Sequence, residues 1–357
     1  MQRLKHGLKK GLRRTLVGLN GLGLGWLLRR LGFAKGAGIV MTHCVGYVPE
    51  TDYLPPDMKT STEKIEAMLK ALSRRGMRCV TVREVVEALD RGEDAKDLLA
   101  FTMDDGYRDN FTEAMPLLKR YGASGTVFVE SRAVDERSVS WMHRYFLVCR
   151  VKDERWFAEE YARRTRDEPT KEKLLAALEG GSSHGALYDL KRVLKYDADR
   201  EDRERTSREI LEAAGRSEDE LSRAYLEWAE IEEMDEAGIE FGAHTIHHEI
   251  LSRLDEDEKR REIAESTRIL REHVKAPVTT FAYPFGRPWD YDDGCFEILR
   301  EVGYRCSCAA IDGTNDPETD RWQLRRLPLN DDIPLADILA EIDGTLPLFR
   351  RLTGVRL

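Results

Sequence analysis

The chain has 357 residues, of which 41% are hydrophobic and 34% are charged, and its formal net charge is -9. This composition allows a sizeable core and excludes a collagen, a disulfide-rich scaffold and a polytopic membrane protein. The six cysteines form no CxxC pair and lie mostly in apolar runs, which indicates reduced thiols in a cytosolic protein. The length suits two domains or one α/β barrel with insertions.

Charge is distributed unevenly along the chain. Residues 1–35 carry nine lysines and arginines and no acidic residue, so the rest of the chain is strongly acidic. An acidic body repels the phosphates of a nucleic acid. We therefore expect no nucleic-acid partner.

Residues 1–35 have the pattern of an amphipathic helix. One helical face carries a leucine at every fourth position: Leu4, Leu8, Leu12 and Leu16. With lysine and arginine at other positions, this pattern is typical of a helix that lies on an anionic membrane. The apolar run over residues 15–28 is too short to span a bilayer. Two alternatives stay open: a helix docked on the body of the protein, and a signal or anchor sequence.

From residue 38 onward, short apolar strands alternate with helices. The predicted strands are, in chain order, 38–44, 79–82, 98–103, 126–129, 239–243, 278–283, 304–309 and 324–329. Helices are predicted after capping sequences that begin at Thr60 and Thr81, and over residues 112–121, 256–274 and 296–302. This alternation predicts a parallel sheet with crossover helices, and about seven such units favour a barrel over an open sheet.

The alternation stops between residues 141 and 225, where the sequence is rich in charge and has helical patterning. We interpret this stretch as a helical insertion on one barrel loop, either a solvated cover or a substrate-binding element. The predicted organisation is a basic amphipathic segment (1–35), a first part of the barrel (36–140), the insertion (141–225), a second part of the barrel (226–332) and a C-terminal helical tail (333–357).

Two adjacent carboxylates end one of the predicted strands. The sequence LAFTMDDG, residues 99–106, is an apolar strand that runs into Asp104 and Asp105. Active-site residues of barrels lie at the carboxyl ends of strands. Side chains alternate along an extended chain, so one carboxylate could bind a metal while the other acts as a base. An ordinary turn containing Asp and Gly is the structural alternative.

A histidine cluster, GAHTIHH at residues 242–248, follows another apolar strand. His244 and His248 are four residues apart, so one helical turn would place both imidazoles on the same face. With one carboxylate they would make a three-ligand site for zinc or a related divalent ion, with a position left open for water. His247 points elsewhere under this geometry, and we interpret it as a neighbour of the site.

A third segment, FAYPFG at residues 281–286, ends a further strand in a turn that contains Pro and Gly. In this order, FTMDDG, GAHTIHH and FAYPFG resemble the motifs of the NodB-homology polysaccharide deacetylases, carbohydrate esterase family 4. The resemblance extends over residues 38–330, interrupted by the insertion. It implies a distorted (β/α) barrel and the metal-assisted hydrolysis of N-acetyl groups on amino sugars, with release of acetate.

The resemblance also implies roles for individual residues. Asp104 matches the general base of the family. The metal ligands that match are Asp105, His244 and His248, and we expect them to hold one divalent ion, Zn²⁺. The residues that match the oxyanion-binding and substrate-facing positions are Phe285, through its backbone amide, Tyr283 and Thr245, whose hydroxyl shapes the turn of the histidine motif.

This sequence departs from the family pattern at two places. Ala282 stands where many members have an arginine that orients the base. The last strand, 324–329, contains no histidine to protonate the leaving amine. Both losses occur together in some branches of the family. The general acid is therefore unassigned, with His43, His143 and an acidic residue near Asp332 as candidates.

We expect an enzyme, a polysaccharide deacetylase that acts on an acetylated amino-sugar glycan such as a bacterial exopolysaccharide or its lipid-linked precursor. The expected location is cytoplasmic, with peripheral contact between residues 1–35 and an anionic inner membrane; export is an open alternative. Two other functions also stay open. One is hydrolysis of another C–N bond or of an O-acetyl group in the same fold, and the other is glycan binding by a catalytically inactive relative.

Overall fold

Ten strands are found in the computed structural model, which describes residues 2–179 and 184–354. They are β1 (Gly38–Thr42), β2 (Cys44–Val45), β3 (Lys59–Thr60), β4 (Arg78–Val80), β5 (Leu98–Asp105), β6 (Thr126–Val129), β7 (Glu240–Ala243), β8 (Thr280–Ala282), β9 (Cys306–Cys308) and β10 (Leu327–Pro328). Every predicted strand is present: 126–129 has its predicted bounds, and the others are shortened, extended or shifted. The short strands β2 and β3 make a separate parallel pair.

The other eight strands form one parallel sheet, in which seven follow the order β10-β1-β5-β6-β7-β8-β9 and the eighth, β4, pairs with β5. β4 pairs with residues 98–100 of β5, and β6 pairs with residues 102–105 of the same strand. The two ends of the sheet meet, because Leu324, shortly before β10, pairs with Cys308 of β9. The sheet therefore curls into a distorted (β/α) barrel, which confirms the predicted fold class.

Close backbone approach brings β6, β7 and β8 together near the candidate site. Gly242 of β7 has no side chain, and a Cβ at this position would lie 2.5 Å from the carbonyl oxygen of Thr280 and 2.7 Å from the ring of Phe128. Only glycine fits this position without displacing the neighbouring strands. The strand that leads into His244 can thus pack directly between β6 and β8.

Helices surround the sheet and make up the predicted insertion. They are α1 (Gln2–Leu19), α2 (Gly25–Arg30), α3 (Thr62–Arg74), α4 (Val82–Asp90), α5 (Met115–Arg120), α6 (Ser131–Asp135), α7 (Trp141–Val151), α8 (Glu154–Arg164), α9 (Glu168–Glu179), α10 (His184–Tyr196), α11 (Arg200–Ala213), α12 (Glu218–Ser222), α13 (Trp228–Glu236), α14 (Glu256–Arg271), α15 (Asp293–Val302), α16 (Leu335–Ile342) and α17 (Thr345–Thr353). π-helical turns, Asn20–Leu24 and Asn110–Ala114, precede α2 and α5. Within the described ranges, no helix is long and apolar enough to cross a membrane.

One of the two predicted helix caps is confirmed. At the start of α4, Thr81 Oγ1 accepts a hydrogen bond from the Glu84 N–H (3.2 Å), and the Glu84 carboxylate accepts one from the Thr81 N–H (2.9 Å). The predicted capping role of Thr60 is wrong. Thr60 belongs to β3, and its hydroxyl donates to the carbonyl oxygen of Leu329 (2.7 Å), so tertiary pairing takes this residue out of the helix.

The described residues form two compact units. The barrel unit comprises Met1–Tyr47, Pro56–Ser131 and Leu226–Leu357, in its described part, and the helical unit comprises Val48–Pro55 and Arg132–Tyr225. Within the helical unit, the fully buried Arg144 is ion-paired with Glu204 (2.8 Å) and with Glu218. The helical insertion expected with the fold class is thus present, and its exact bounds, like the other predicted divisions, stay a prediction.

Candidate active site

Asp105, His244 and His248 come together at the carboxyl ends of β5 and β7, and their ligand atoms all lie within 4.8 Å of one another. Asp105 Oδ1 lies 3.5 Å from Nε2 of His244 and 3.4 Å from Nε2 of His248. Asp105 and His244 are buried, and the side chain of His248 is 13% exposed. Two imidazoles and one carboxylate are a typical donor set for Zn²⁺ or a related divalent ion, so these residues fit such an ion.

A tight turn joins the two histidines, not the helical turn expected from their spacing. Residues 244–248 are not helical, and Thr245 and His248 have φ values of 65° and 55°. Thr245 Oγ1 accepts a hydrogen bond from the His248 N–H (3.0 Å), which closes the turn. The imidazoles do lie close together, with 4.9 Å between ring centroids, but left-handed backbone brings them there.

Backbone strain is concentrated at this site. Among the described residues, five that are not glycine have a left-handed φ, and four of them are site residues: Asp105, Thr245, His248 and Phe285. Side chains disfavour this conformation, so it persists only where the surrounding structure enforces it. The three sequence motifs therefore share a backbone feature that often accompanies functional sites.

Backbone contacts determine which nitrogen of His244 faces the cluster. Nδ1 lies 2.7 Å from the carbonyl oxygen of Ala282, which can only accept, so Nδ1 carries the hydrogen and donates. Nε2 is left with its lone pair toward Asp105. Burial lowers the pKa of His244, which keeps the imidazole neutral, as a metal ligand requires.

His247 turns away from the cluster and anchors the turn to α14. Its Nδ1 lies 2.6 Å from Oε1 of Glu262, and Oε2 of Glu262 accepts hydrogen bonds from the N–H groups of Ile246 (2.9 Å) and His247 (3.0 Å). Burial would raise the pKa of Glu262, but these hydrogen bonds outweigh it and lower the pKa. The interpretation of His247 as a neighbour agrees with this geometry.

Asp104 is held by an arginine that sequence reasoning missed. Arg326 Nη1 donates to Asp104 Oδ1 over 2.7 Å, and both side chains are buried, at 1% and 3% exposure. Burial would raise the pKa of Asp104, but the Arg326 charge outweighs it, and the pKa is lowered. Many family members orient the base with an arginine of the third motif, and this sequence has Ala282 at that position. Here an arginine from a different part of the chain, Arg326, contacts the candidate base. An arginine inside an apolar strand was the available signal.

Another buried carboxyl, that of Asp109, lies four residues after the end of β5. Its Oδ1 accepts from Nδ2 of Asn110 (2.9 Å), and Asn110 also donates to the carbonyl oxygen of His43 (3.0 Å). Burial raises the pKa of Asp109 from 3.8 to about 7. His43 follows β1 directly, and it lies close enough to Asp104 for its charge to act on the pKa of that carboxyl.

The structure treats the two aromatic residues of the third motif differently. The ring of Phe285 packs edge-on against His248, with 4.8 Å between centroids. Tyr283 points the other way, into the core. Its hydroxyl accepts from Ser307 Oγ (2.6 Å) and donates to the carbonyl oxygen of Trp322 (3.1 Å). A substrate role for the Tyr283 side chain does not agree with this buried position.

Two of the other acid candidates have local partners. Burial would raise the pKa of Asp331, but a hydrogen bond from Tyr47 (2.6 Å) and bonds from Ser61 outweigh it and lower the pKa, which disfavours a proton donor. His143 belongs to the helical unit, where its Nδ1 lies 3.2 Å from the Tyr53 hydroxyl and its ring packs on Tyr225.

The model of the polysaccharide deacetylase family matches residues 91–307, which is more than half of the chain. The chain is also 28% identical over 81 residues to YxkH of Bacillus subtilis (strain 168), a provisionally named polysaccharide deacetylase. That alignment covers 22% of this chain and 29% of YxkH, so the chain spans less than a third of this relative.

Solved structures of deacetylases have a similar fold. The Streptococcus pyogenes deacetylase PplD, in complex with acetate, has a TM-score of 0.56 at 18% identity, covering 86% of this chain and 98% of PplD. IcaB from Ammonifex degensii has a TM-score of 0.53 at 18% identity, covering 87% and 97%. The BpsB deacetylase domain from Bordetella bronchiseptica has 0.51 at 14% identity, covering 83% and 96%. At these identities the likeness establishes the fold alone.

Proposed function

The chain belongs to the polysaccharide deacetylase family, a family of hydrolases, and we propose that it removes N-acetyl groups from amino sugars of a bacterial polysaccharide or lipid-linked glycan. The observation that carries this proposal is the group formed by Asp105, His244 and His248, whose ligand atoms lie within 4.8 Å, beside the Arg326-bound Asp104. These residues occupy the carboxyl ends of barrel strands, where barrel enzymes do their chemistry.

Asp105, His244 and His248 are proposed to hold one divalent ion, Zn²⁺. The neutral His244, with Nε2 directed at Asp105, supports this assignment, as does the carbonyl of Ala282 that fixes its orientation. When bound, such an ion supplies a Lewis acid for the acetamide carbonyl and lowers the pKa of a water that it binds to about 7.

Asp104 is proposed as the general base. Its carboxylate would accept a proton from the attacking water, and this requires the ionised form. The buried ion pair with Arg326 favours that form, because the guanidinium holds the pKa of Asp104 below its ordinary value. We assign Arg326 a positioning role, since it donates a hydrogen bond to the Asp104 carboxylate and so orients it.

Backbone amide and histidine groups are proposed to complete the reaction. The Phe285 N–H would donate to the oxyanion, and the left-handed φ of 61° at this residue sets the direction of that amide. Thr245 acts through its hydrogen bond to the His248 N–H. We propose His43 as the general acid that protonates the leaving amine, because it follows β1 directly and interacts electrostatically with Asp104.

The proposed location is the cytoplasm, with peripheral contact between residues 1–35 and the inner membrane. The six cysteines support a reducing compartment, because all of them are free thiols in the structure. Cell fractionation with an antibody to the protein tests this location. Recovery in the exported fraction would contradict it.

Acetate release by the purified protein tests the proposed function. We expect release from oligomers of N-acetylglucosamine by the wild type, with loss of bound metal and activity in His244→Ala and His248→Ala. His247→Ala is the matched control, because this histidine contacts Glu262 and lies outside the cluster. If the protein cleaves only O-acetylated sugars or cyclic amides, it is a hydrolase of a different substrate class in the same fold. Glycan binding without any hydrolysis or bound metal would identify an inactive relative.

A further inference from the structure

The outward side of the N-terminal segment exposes an unusual set of apolar side chains. Where side chains are described, residues 9–179 and 190–354, eleven large apolar residues are exposed, and seven of them lie between residues 12 and 33. These seven, which we call the outer face, are Leu12, Leu19, Leu22, Trp26, Leu27, Leu31 and Phe33. Exposed apolar residues scattered singly are ordinary, whereas a concentrated patch marks an interaction surface.

The opposite side of the same segment is docked on the C-terminal helices. α1 contacts α16 and α17, and Asn20 Nδ2 donates to Oδ2 of the fully buried Asp343 (3.0 Å). Arg29 donates to the carbonyl oxygen of Ile342 (3.2 Å). Gly25 allows this close packing, because a Cβ there would lie 2.3 Å from Oδ1 of Asn20. The segment is therefore a fixed part of the barrel unit, and its outer face has a fixed direction.

Charge identifies the partner of the outer face. Exposed basic residues lie before, among and after its residues in sequence: Lys9, Lys10, Arg14, Arg30 and Lys35. Residues 1–35 contain no acid to offset them, so two outer faces from two copies would repel each other. Exposed basic residues interspersed with exposed tryptophan and leucine side chains suit the interface of an anionic bilayer, where an apolar face enters the acyl boundary and basic residues contact headgroups.

We propose that the outer face docks the barrel unit on an anionic lipid bilayer, with Leu22 and Trp26 entering the interface. Leu22 is 87% exposed and Trp26 is 62% exposed. The Arg30 guanidinium lies 5.3 Å from the centre of the Trp26 ring, so the apolar anchor and a cation for the lipid headgroups lie side by side. This inference deepens the proposed membrane location. It assigns the contact to a surface of the barrel unit, which also carries the proposed catalytic residues.

Vesicle co-sedimentation of the full chain tests the proposal. Vesicles of phosphatidylcholine alone are compared with an equal mixture of phosphatidylcholine and phosphatidylglycerol, at low and high salt. We expect binding to the mixed vesicles, weakened by salt because exposed charges are screened. The double variant Leu22→Ser/Trp26→Ser should lower the partition coefficient at least about tenfold, because it removes two apolar anchors. Leu175→Ser, an exposed leucine of the helical unit, is the matched control and should bind like the wild type.

Melting temperature and acetate release from a soluble substrate should be unchanged in both variants, because the exchanged side chains are exposed and lie outside the active site. If the wild type fails to bind mixed vesicles, the membrane location is wrong. If the double variant binds as tightly as the wild type, the location stands and the outer face is wrong. A third outcome is a wild type that is dimeric and does not bind vesicles, with a double variant that is monomeric. The outer face would then be a self-association surface, and the proposal would be overturned.

Discussion

The buried pair between Arg326 and Asp104 makes the sharpest prediction about this site, tested by Arg326→Met. Methionine keeps much of the volume and removes the charge. Asp104 then stays buried without the guanidinium that lies 2.7 Å from its carboxylate. Removing one partner of a buried ion pair typically costs about 3–5 kcal/mol, because the remaining charge is uncompensated. We expect the free energy of unfolding at neutral pH to fall by an amount in this range.

The same change should alter the pH dependence of both stability and activity. In the wild type the pKa of Asp104 is lowered, so the pair stabilises the fold above that pKa and loses its effect as pH falls through it. In Arg326→Met burial acts without the opposing charge and raises the pKa of Asp104. The stability deficit should therefore shrink in mild acid, where Asp104 takes up a proton and becomes neutral.

For activity, a protonated Asp104 is no longer a base. The acid limb of the rate profile for acetate release should move to higher pH in Arg326→Met, and the rate at neutral pH should fall by about 10²–10⁴-fold. Arg326→Lys should recover part of both effects because it retains the charge. A merely structural arginine would lower stability without moving the acid limb.

Urea denaturation and acetate release measure these effects, with two comparisons. Arg325→Met is the matched control, because Arg325 is the exposed neighbour of Arg326 in sequence and its replacement should change little. In Arg326→Met/Asp104→Asn both charges are gone, so the double variant should be more stable than Arg326→Met alone. Additive losses together with an unmoved acid limb would refute the reasoning.

Three further outcomes are expected. Asp105→Asn should lose bound metal, whereas Asp104→Asn should keep it and lose turnover by about 10²–10⁴-fold; equal metal loss in both, by elemental analysis, would make them joint ligands. The pKa of Asp109, raised by burial to about 7, means that stability falls as pH rises toward 7, by at most about 1.4 kcal/mol per pH unit. Asp109→Asn should flatten that slope in urea titrations, and the exposed Asp312→Asn should not. Asp343→Ala should cost about 3–5 kcal/mol and speed proteolysis of residues 9–30, since Asp343 holds that segment; an unchanged cleavage rate would contradict the docking.

Much of the fold and the position of the candidate site follow from local sequence. Apolar runs such as residues 98–103 predict strands, and the chemistry-bearing residues come directly after them. Parallel strands direct their carboxyl ends to the same edge, so Asp105 and His244 meet without any knowledge of distant contacts. The backbone conformation between His244 and His248 did not follow from the sequence. A four-residue spacing is compatible with a helical turn and also with a tight turn of left-handed residues.

Contacts between residues distant in sequence were decided by tertiary structure alone. Arg326 and Asp104 are 222 positions apart, and Asn20 and Asp343 are 323 apart. Closure of the sheet brings the first pair together, and packing of the two chain ends brings the second. The amphipathic pattern of residues 1–35 could indicate one apolar face, but the structure divides the segment between a docked side and an exposed side.

The inward or outward direction of a single side chain was also undetermined by sequence. Arg325 and Arg326 are adjacent, identical and embedded in the same apolar run, yet the first is exposed and the second is 1% exposed. Both lie in the short stretch between Leu324, which pairs with β9, and β10. Successive side chains of an extended chain point to opposite sides, so a shift of one position in register would exchange their roles. That register is set by pairing with β1 and β9, and only the closed barrel makes the inward arginine the partner of the catalytic carboxylate.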